Sequence, residues 1–143
     1  MIVYAESSAV MAWLLNEPDS EPVRAALADA EMIVTSRLTI VECSRALHRA
    51  RLADRLSDEG ALAAQRLLDE ASDNWVIMDL VGDVTTRAAR PFPKEPLRTL
   101  DAFHVASAAV YHQALGTLSV LSLDERVRGN VVALGIGVVP AEG

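Results

Sequence analysis

The 143-residue sequence contains a single cysteine, Cys43, which excludes an intramolecular disulfide and is too few for a cysteine-based structural zinc site. Its position within a predicted helix is typical of a small buried core residue. Histidine is scarce as well: the three in the chain, His48, His104 and His112, lack the spacing of metal ligands. His104 and His112 fall on an apolar helix, where packed or surface positions are more common than ligand positions.

Long apolar runs and glycine-rich phosphate motifs are also missing. No run approaches the roughly 20 apolar residues that cross a bilayer, and the first residues carry neither a basic segment nor a small-residue cleavage site. We therefore expect a cytoplasmic protein without membrane association. Neither a P-loop nor a G-x-S-x-G turn is present, which argues against those two kinds of active site.

Positive charge is in the minority. The net charge is −7, from 13 Lys and Arg against 20 Asp and Glu, which argues against a generic nucleic-acid binder. The basic residues are nevertheless grouped, and Arg45 and Arg49 lie three and seven positions after Glu42, on one helical face. Guanidinium groups there would meet a phosphate, although a solvated helix face explains the pattern equally well.

Hydrophobic residues make up 51% of the chain and occur in short apolar runs separated by segments of helical periodicity. The runs near Met1, Met32, Trp75, Leu118 and Gly137 are predicted strands. This alternation predicts an α/β fold with a parallel sheet of about four to five strands and helices on both faces. No linker or internal repeat interrupts the pattern, so a single domain is expected over residues 1–143.

Four carboxylates fall where such a sheet could gather them: Glu6, Glu42, Asp101 and Asp124. Glu6 and Asp124 follow predicted strands, whereas Glu42 and Asp101 lie near the starts of predicted helices. Carboxylates that converge without cationic partners repel one another, and a divalent cation removes that repulsion. Oxygen ligands suit Mg²⁺ or Mn²⁺. The sequence therefore predicts a metal site beyond the carboxyl ends of the strands.

Each acid has a simpler explanation when it is taken alone. Asp101 in a first helical turn suits the helix dipole, Glu42 can pair with Arg45, and Asp124 can begin a helix. Glu6 is harder to explain, because it ends a strand that should be buried on both faces. The helix after that strand is expected to be capped by Ser7 or Ser8. The predicted metal site depends on the joint placement of the four acids.

Four segments of the chain resemble motifs of PIN-domain proteins, of the kind that serves as the toxin in VapBC-type toxin–antitoxin pairs. They are residues 2–9, 35–47, 97–108 and 121–126, which occur in the family's order and span nearly the whole chain. The third is the most specific, with Asp101 ahead of a His-x-Ala-x-Ala helix. The family's first acid is usually Asp, whereas this chain has Glu6.

The resemblance implies a metal-dependent endoribonuclease that hydrolyses an RNA phosphodiester. In the implied site, one or two Mg²⁺ or Mn²⁺ ions are held by Glu6, Asp101 and Asp124, with Glu42 binding directly or through water. The extra methylene of Glu6 shifts its carboxylate, so either the backbone accommodates the longer side chain or metal affinity is reduced.

Around this implied metal site, the resemblance assigns supporting roles. Ser8 would orient a ligand or a water, and Arg45 or Arg49 would hold the RNA phosphate. A cognate antitoxin would place a basic group across the acidic pocket, and we expect a homodimer. The apolar residues of the first helix, Met11, Trp13, Leu14 and Leu15, could form a groove for a partner helix or simply pack on the sheet.

Other functions are open at this stage. A catalytically weak homologue would bind RNA or an antitoxin without cleaving, and Glu6 is the residue that keeps this alternative open. A receiver-like phosphoacceptor would need an acidic pair after the first strand, but Glu6 is followed by two serines. DNA or flap cleavage is disfavoured because the small chain has no clamp or arch insertion.

Overall fold

The computed structural model describes residues 1–141 and, within them, contains five strands and seven helices. The strands are β1 (Ile2–Ala5), β2 (Met32–Ser36), β3 (Val76–Met78), β4 (Ser119–Leu121) and β5 (Gly137–Val139). The helices are α1 (Ser7–Leu14), α2 (Ser20–Asp29), α3 (Arg37–Leu52), α4 (Asp58–Ser72), α5 (Gly82–Ala88), α6 (Thr99–Leu115) and α7 (Glu125–Ala133). All strand pairs are parallel, which confirms the predicted α/β fold. The predicted domain limits, 1–143, include two residues outside those described.

Strand β1 lies at the centre of the sheet, whose order is β3-β2-β1-β4-β5. Its residues Val3, Tyr4 and Ala5 are fully buried. Tyr4 faces the core formed with α5, α6 and α7, whereas Val3 and Ala5 face the cores formed with α1 to α4. Helices on both faces explain why the strands read as continuous apolar runs. Among residues 1–141, no helix has the length and apolar character needed to cross a membrane.

The order of the strands reverses beside β1, because β2 and β3 extend the sheet on one side and β4 and β5 on the other. Ala5 is paired with Leu121 at the carboxyl ends of β1 and β4. The next residues, Glu6 and Ser122, therefore leave the sheet at the same edge. In open parallel sheets, ligands bind at this kind of reversal.

The start of α1 corrects one prediction from the sequence. The capping residue is Glu6, not Ser7 or Ser8, because Glu6 still has the extended conformation of the strand, with φ −89° and ψ 152°. Its side chain accepts a hydrogen bond from the Ser8 amide, as an N-cap residue does. The first acid of the predicted site therefore also begins a helix.

Candidate functional site

Glu6 is a buried carboxylate that is satisfied by its own chain. Its side chain is 4% exposed, and its Oε1 accepts hydrogen bonds from the hydroxyls of Ser8 (2.6 Å) and Ser122 (2.5 Å). Its Oε2 accepts from the Ser8 amide at 2.8 Å. Three donors offset the cost of burying the charge. Ser8, which the sequence predicts as a residue that orients ligands, binds Glu6 and accepts a hydrogen bond from the Leu123 amide at 2.9 Å.

Glu42 lies on α3 with its side chain 27% exposed. Its Oε1 accepts a hydrogen bond from the Ser7 hydroxyl at 2.7 Å and contacts Nε2 of His104. Burial alone would raise the pKa of Glu42. The hydrogen bonds from His104 and Ser7 lower it by more, so the pKa of Glu42 lies below its usual value. The carboxylate is therefore held in its ionised form.

His104 lies on α6 with 1% of its surface exposed. Its Nδ1 is 2.9 Å from the hydroxyl of Tyr4, and its Nε2 is 3.0 Å from the hydroxyl of Ser7. The tyrosine and imidazole rings meet edge to face, with 6.2 Å between centroids. The sequence predicts a packed or surface histidine, and the structure shows a packed one whose ring also contacts Glu42.

Asp101 and Asp124 share one cation, the guanidinium of Arg98. Nε of Arg98 donates to Oδ2 of Asp101 at 3.0 Å, and Nη2 lies 3.9 Å from Oδ2 of Asp124. The hydrogen bond and charge of Asp101 raise the pKa of Arg98, and the charges of Asp124 and Glu42 add to this effect. Two of the four predicted acids therefore lie against one exposed arginine, and the charge of a third, Glu42, also acts on it.

Asp124 is also the N-cap of α7. Its Oδ1 accepts from the amides of Arg126 at 2.9 Å and Val127 at 3.2 Å. The simple explanation of this acid as a helix start is correct, but Oδ2 still faces Arg98. Asp101 similarly lies in the first turn of α6. Two of the predicted site residues thus combine a local role at a helix start with a position in the acidic cluster.

We call the place where Glu42, Asp101 and Asp124 approach Arg98 the cleft. The carboxylate oxygens of these three acids are donors of the kind that a hard divalent cation prefers. The position of Arg98 shows that the cleft already holds a positive charge between Asp101 and Asp124. In the part of the chain that the structure describes, no three acid, histidine or cysteine side chains are close enough to ligate one ion. Binding of a metal ion to both aspartates would require Arg98 to move.

The predicted phosphate-binding arginines lie on α3, the helix that carries Glu42. Arg45 and Arg49 are exposed on α3, and the charge of Arg49 contributes to the lowered pKa of Glu42. Within residues 1–141 neither guanidinium forms an ion pair, so the suggested pairing of Glu42 with Arg45 is wrong. Both side chains are exposed and therefore accessible to a ligand.

Sequence reasoning missed three side chains that bind the acids, which are Ser7, Arg98 and Ser122, and it also missed Tyr4, which binds His104. Ser122 directly follows β4, and Ser7 follows Glu6, the acid at the end of β1. A position at a strand end is a signal that could have identified both serines. Arg98 stands three residues before Asp101, a spacing that permits a helical pair. Tyr4 has no such signal, because an aromatic residue in a buried strand is ordinary.

Known proteins match this chain over nearly its full length. The family model of the PIN domain matches residues 3–129. Ribonuclease VapC46 of Mycobacterium tuberculosis is 33% identical over 137 residues, which cover 96% of this chain and 95% of that protein.

Solved structures share the fold. The crystal structure of Mycobacterium tuberculosis VapC20, a toxin that cleaves the sarcin–ricin loop, has a TM-score of 0.66 at 17% identity and covers 94% of this chain and 95% of that chain. The structure of VapBC2 from Rickettsia felis, bound to a DNA fragment from its promoter, has a TM-score of 0.64 at 11% identity, with 96% and 97% covered. These likenesses confirm the predicted fold, while the PIN-domain model and the 33% identity to VapC46 confirm the family resemblance predicted from the sequence.

Proposed function

Because the chain belongs to the PIN-domain family, we propose that it is a metal-dependent endoribonuclease and the toxin of a type II toxin–antitoxin pair. The curated relative VapC46 is named a ribonuclease, which supports the reaction class. The observation that carries the proposal is the approach of Asp101 and Asp124 to one guanidinium, on which the charge of Glu42 also acts. Such a cluster stabilises positive charge where a phosphodiester could enter.

In this proposal Asp101, Asp124 and Glu42 hold Mg²⁺ or Mn²⁺. A bound ion would stabilise negative charge on the phosphate and lower the pKa of water. Arg45 and Arg49 hold the RNA backbone beside the acids. The ionised state of Glu42, maintained by His104 and Ser7, keeps one ligand ready at neutral pH.

Glu6 enters the proposed site in a different way. Its two oxygens are engaged by Ser8 and Ser122, so it adds negative charge and fixes these hydroxyls, with any contact to the ion made through water. Ser8 and Ser122 then shape the wall of the cleft next to Asp124. This arrangement accommodates the longer acid in the place where the family usually has Asp.

The proposed partners follow from the same cleft. An antitoxin would bring a basic group to the acids, in competition with Arg98, and the net charge of −7 favours a basic partner. The structural neighbour from Rickettsia felis is a VapBC assembly, which supports a protein partner. We also propose a homodimer and a cytoplasmic site of action.

A second function is favoured by a specific observation. The acids are engaged by Arg98, Ser8 and Ser122, and among residues 1–141 no three of them form a ready ligand group. A protein of this kind could bind RNA or an antitoxin without cleaving. This alternative predicts a stable complex with intact RNA.

The test is incubation of the purified protein, free of antitoxin, with total bacterial RNA in Mg²⁺, Mn²⁺ or EDTA. The Asp101→Asn variant serves as the control, since it keeps the side-chain shape and removes the charge. Discrete fragments that require the metal and are absent with the variant would support the nuclease. Intact RNA in all lanes, together with RNA binding in a mobility-shift assay, would refute it in favour of the binding function.

A further inference from the structure

A buried hydrogen-bonded chain leads from the centre of the sheet to Glu42. It runs from the hydroxyl of Tyr4 in β1 to Nδ1 of His104 in α6 (2.9 Å), and from Nε2 of His104 to Oε1 of Glu42 in α3. Ser7 bridges the last pair, 2.7 Å from Glu42 and 3.0 Å from His104. In the described residues no buried side-chain nitrogen or oxygen lacks a partner, so the chain is fully satisfied.

The direction of the hydrogen bonds follows from the groups themselves. Burial raises the pKa of Tyr4 far above its usual value, so the phenol stays protonated and can donate to Nδ1. A neutral imidazole that accepts at Nδ1 carries its hydrogen on Nε2. Nε2 can then donate to the carboxylate of Glu42, and this makes Glu42 an acceptor at Oε1.

The hydrogen-bonded chain engages Oε1 of Glu42 and leaves its other carboxylate oxygen, Oε2, free. Oε1 contacts the buried Ser7 and His104, whereas within residues 1–141 Oε2 forms no hydrogen bond or ion pair, and 27% of the side chain is exposed. His104 also lies three residues after Asp101 on α6, which is close to one helical turn. A single helix therefore carries Asp101 and the ring that orients Glu42, and it couples the positions of the two acids.

We propose that Tyr4 and His104 are positioning residues that hold Glu42 with Oε1 bound inside the protein and Oε2 presented to the cleft. This inference rests on the proposed function in assigning Glu42 to a metal ion. Partners of this kind, which orient a ligand without touching the ion, typically change metal affinity or activity about 10–100-fold when they are removed.

Three variants separate positioning from packing. His104→Phe keeps an aromatic ring and removes both nitrogens, His104→Gln retains an N–H donor, and Tyr4→Phe removes only the hydroxyl. We expect His104→Phe to weaken Mn²⁺ binding about 10–100-fold in calorimetry and to lower kcat with little change in KM for RNA. His104→Gln should recover most of the lost affinity. The exposed His48→Gln serves as the matched control and should leave Mn²⁺ binding unchanged.

Urea unfolding of each variant shows whether it is folded before binding is measured. A folded His104→Phe protein with wild-type Mn²⁺ affinity would overturn the proposal. The proposal would also be overturned if His104→Gln bound Mn²⁺ as weakly as His104→Phe does. If position 104 served packing alone, the N–H donor of glutamine would not restore Mn²⁺ affinity.

Nitrogen NMR of histidine-labelled protein tests the chain without any metal. The wild-type His104 should show the tautomer with hydrogen on Nε2, and Tyr4→Phe should reduce that preference. A ring with its hydrogen on Nδ1 alone would overturn the proposal, because Nε2 could then not donate to Glu42. If the wild type bound no Mn²⁺ and cut no RNA, the proposed function would fail, while the tautomer would still decide whether Tyr4 and His104 orient Glu42.

Discussion

At the scale of single residues, Glu6 shows how a buried charge can stabilise a strand end. Replacement by Gln would turn one acceptor into a donor that faces the Ser8 amide or the two hydroxyls. We expect Glu6→Gln to lower the free energy of unfolding by about 1–3 kcal/mol, the cost of an unsatisfied buried polar group. Urea denaturation measures this. The exposed Glu17→Gln is the matched control, and equal losses in both variants would contradict the explanation.

Arg98 is the residue whose removal should improve metal binding. Its guanidinium is 67% exposed and stands between Asp101 and Asp124. We expect Arg98→Ala to bind Mn²⁺ a few-fold more tightly than the wild type in calorimetry, since no internal cation then competes. The gain should shrink as salt is added, because exposed charges are screened.

The control for this prediction is Arg51→Ala, which removes a half-buried arginine from an ion pair with Asp58 on α4. That change should leave Mn²⁺ binding as it is. Weaker Mn²⁺ binding by Arg98→Ala would mean that Arg98 supports the acidic cluster and does not compete with the metal.

At the scale of elements, Asp124 links the start of α7 to the cleft. Asn is also a good N-cap, so Asp124→Asn should unfold at nearly the wild-type urea concentration, whereas Asp124→Ala should lose about 0.5–2 kcal/mol. Both variants should lose Mn²⁺ affinity, since both remove the charge beside Arg98. Calorimetry and urea unfolding on the same samples separate the two roles. Wild-type Mn²⁺ binding by Asp124→Asn would exclude Asp124 from the metal site.

The strands and helices are predictable because the sheet is covered on both faces and its strands read as short apolar runs. The four acids are also recognisable, since Glu6 and Asp124 sit next to such runs. What the sequence does not reveal is the direction of each side chain. Glu6 turns towards Ser8 and Ser122 because its backbone is still extended where α1 begins. The contact with Ser122 joins residues far apart in the sequence and has no local signal.

The same limit applies to the pair of Tyr4 and His104, which are 100 residues apart. Spacing places His104 on an apolar helix and predicts a packed ring, which is correct. The hydrogen bonds of that ring depend on how α6 packs against β1 and α3. Only the three-dimensional arrangement reveals that a core histidine contacts one of the acids.

At the scale of the whole molecule, buried tyrosines set a limit on stability in alkali. Burial raises the pKa of Tyr111 to about 12 from an ordinary value of 10.0. The unfolded chain therefore releases this proton at lower pH than the folded one. The stabilising contribution of Tyr111 is complete below pH 10 and is lost as the pH rises through about 12.

Tyr111→Phe tests this pH dependence. The hydroxyl donates to the carbonyl oxygens of Thr35 (3.0 Å) and Val76 (3.2 Å), so the variant should be about 1 kcal/mol less stable at neutral pH. The difference in the free energy of unfolding between the wild type and the variant should narrow above pH 10. The wild type loses stability there as Tyr111 ionises in the unfolded chain, whereas phenylalanine does not ionise. Urea unfolding followed by tryptophan fluorescence on both sides of pH 10 measures the gap, and a constant gap would contradict the assignment.

If the acids bind a divalent ion as proposed, the guanidinium of Arg98 turns metal loading into an exchange of one cation for another. The apparent affinity for the ion then reflects the difference between two binding free energies, and the cleft stays with its arginine until free divalent ion outcompetes it. In the proposed nuclease, the side chain would therefore set the ion concentration at which the metal site is loaded. Once displaced, it remains attached just before α6, where it is a nearby positive charge for an arriving phosphate.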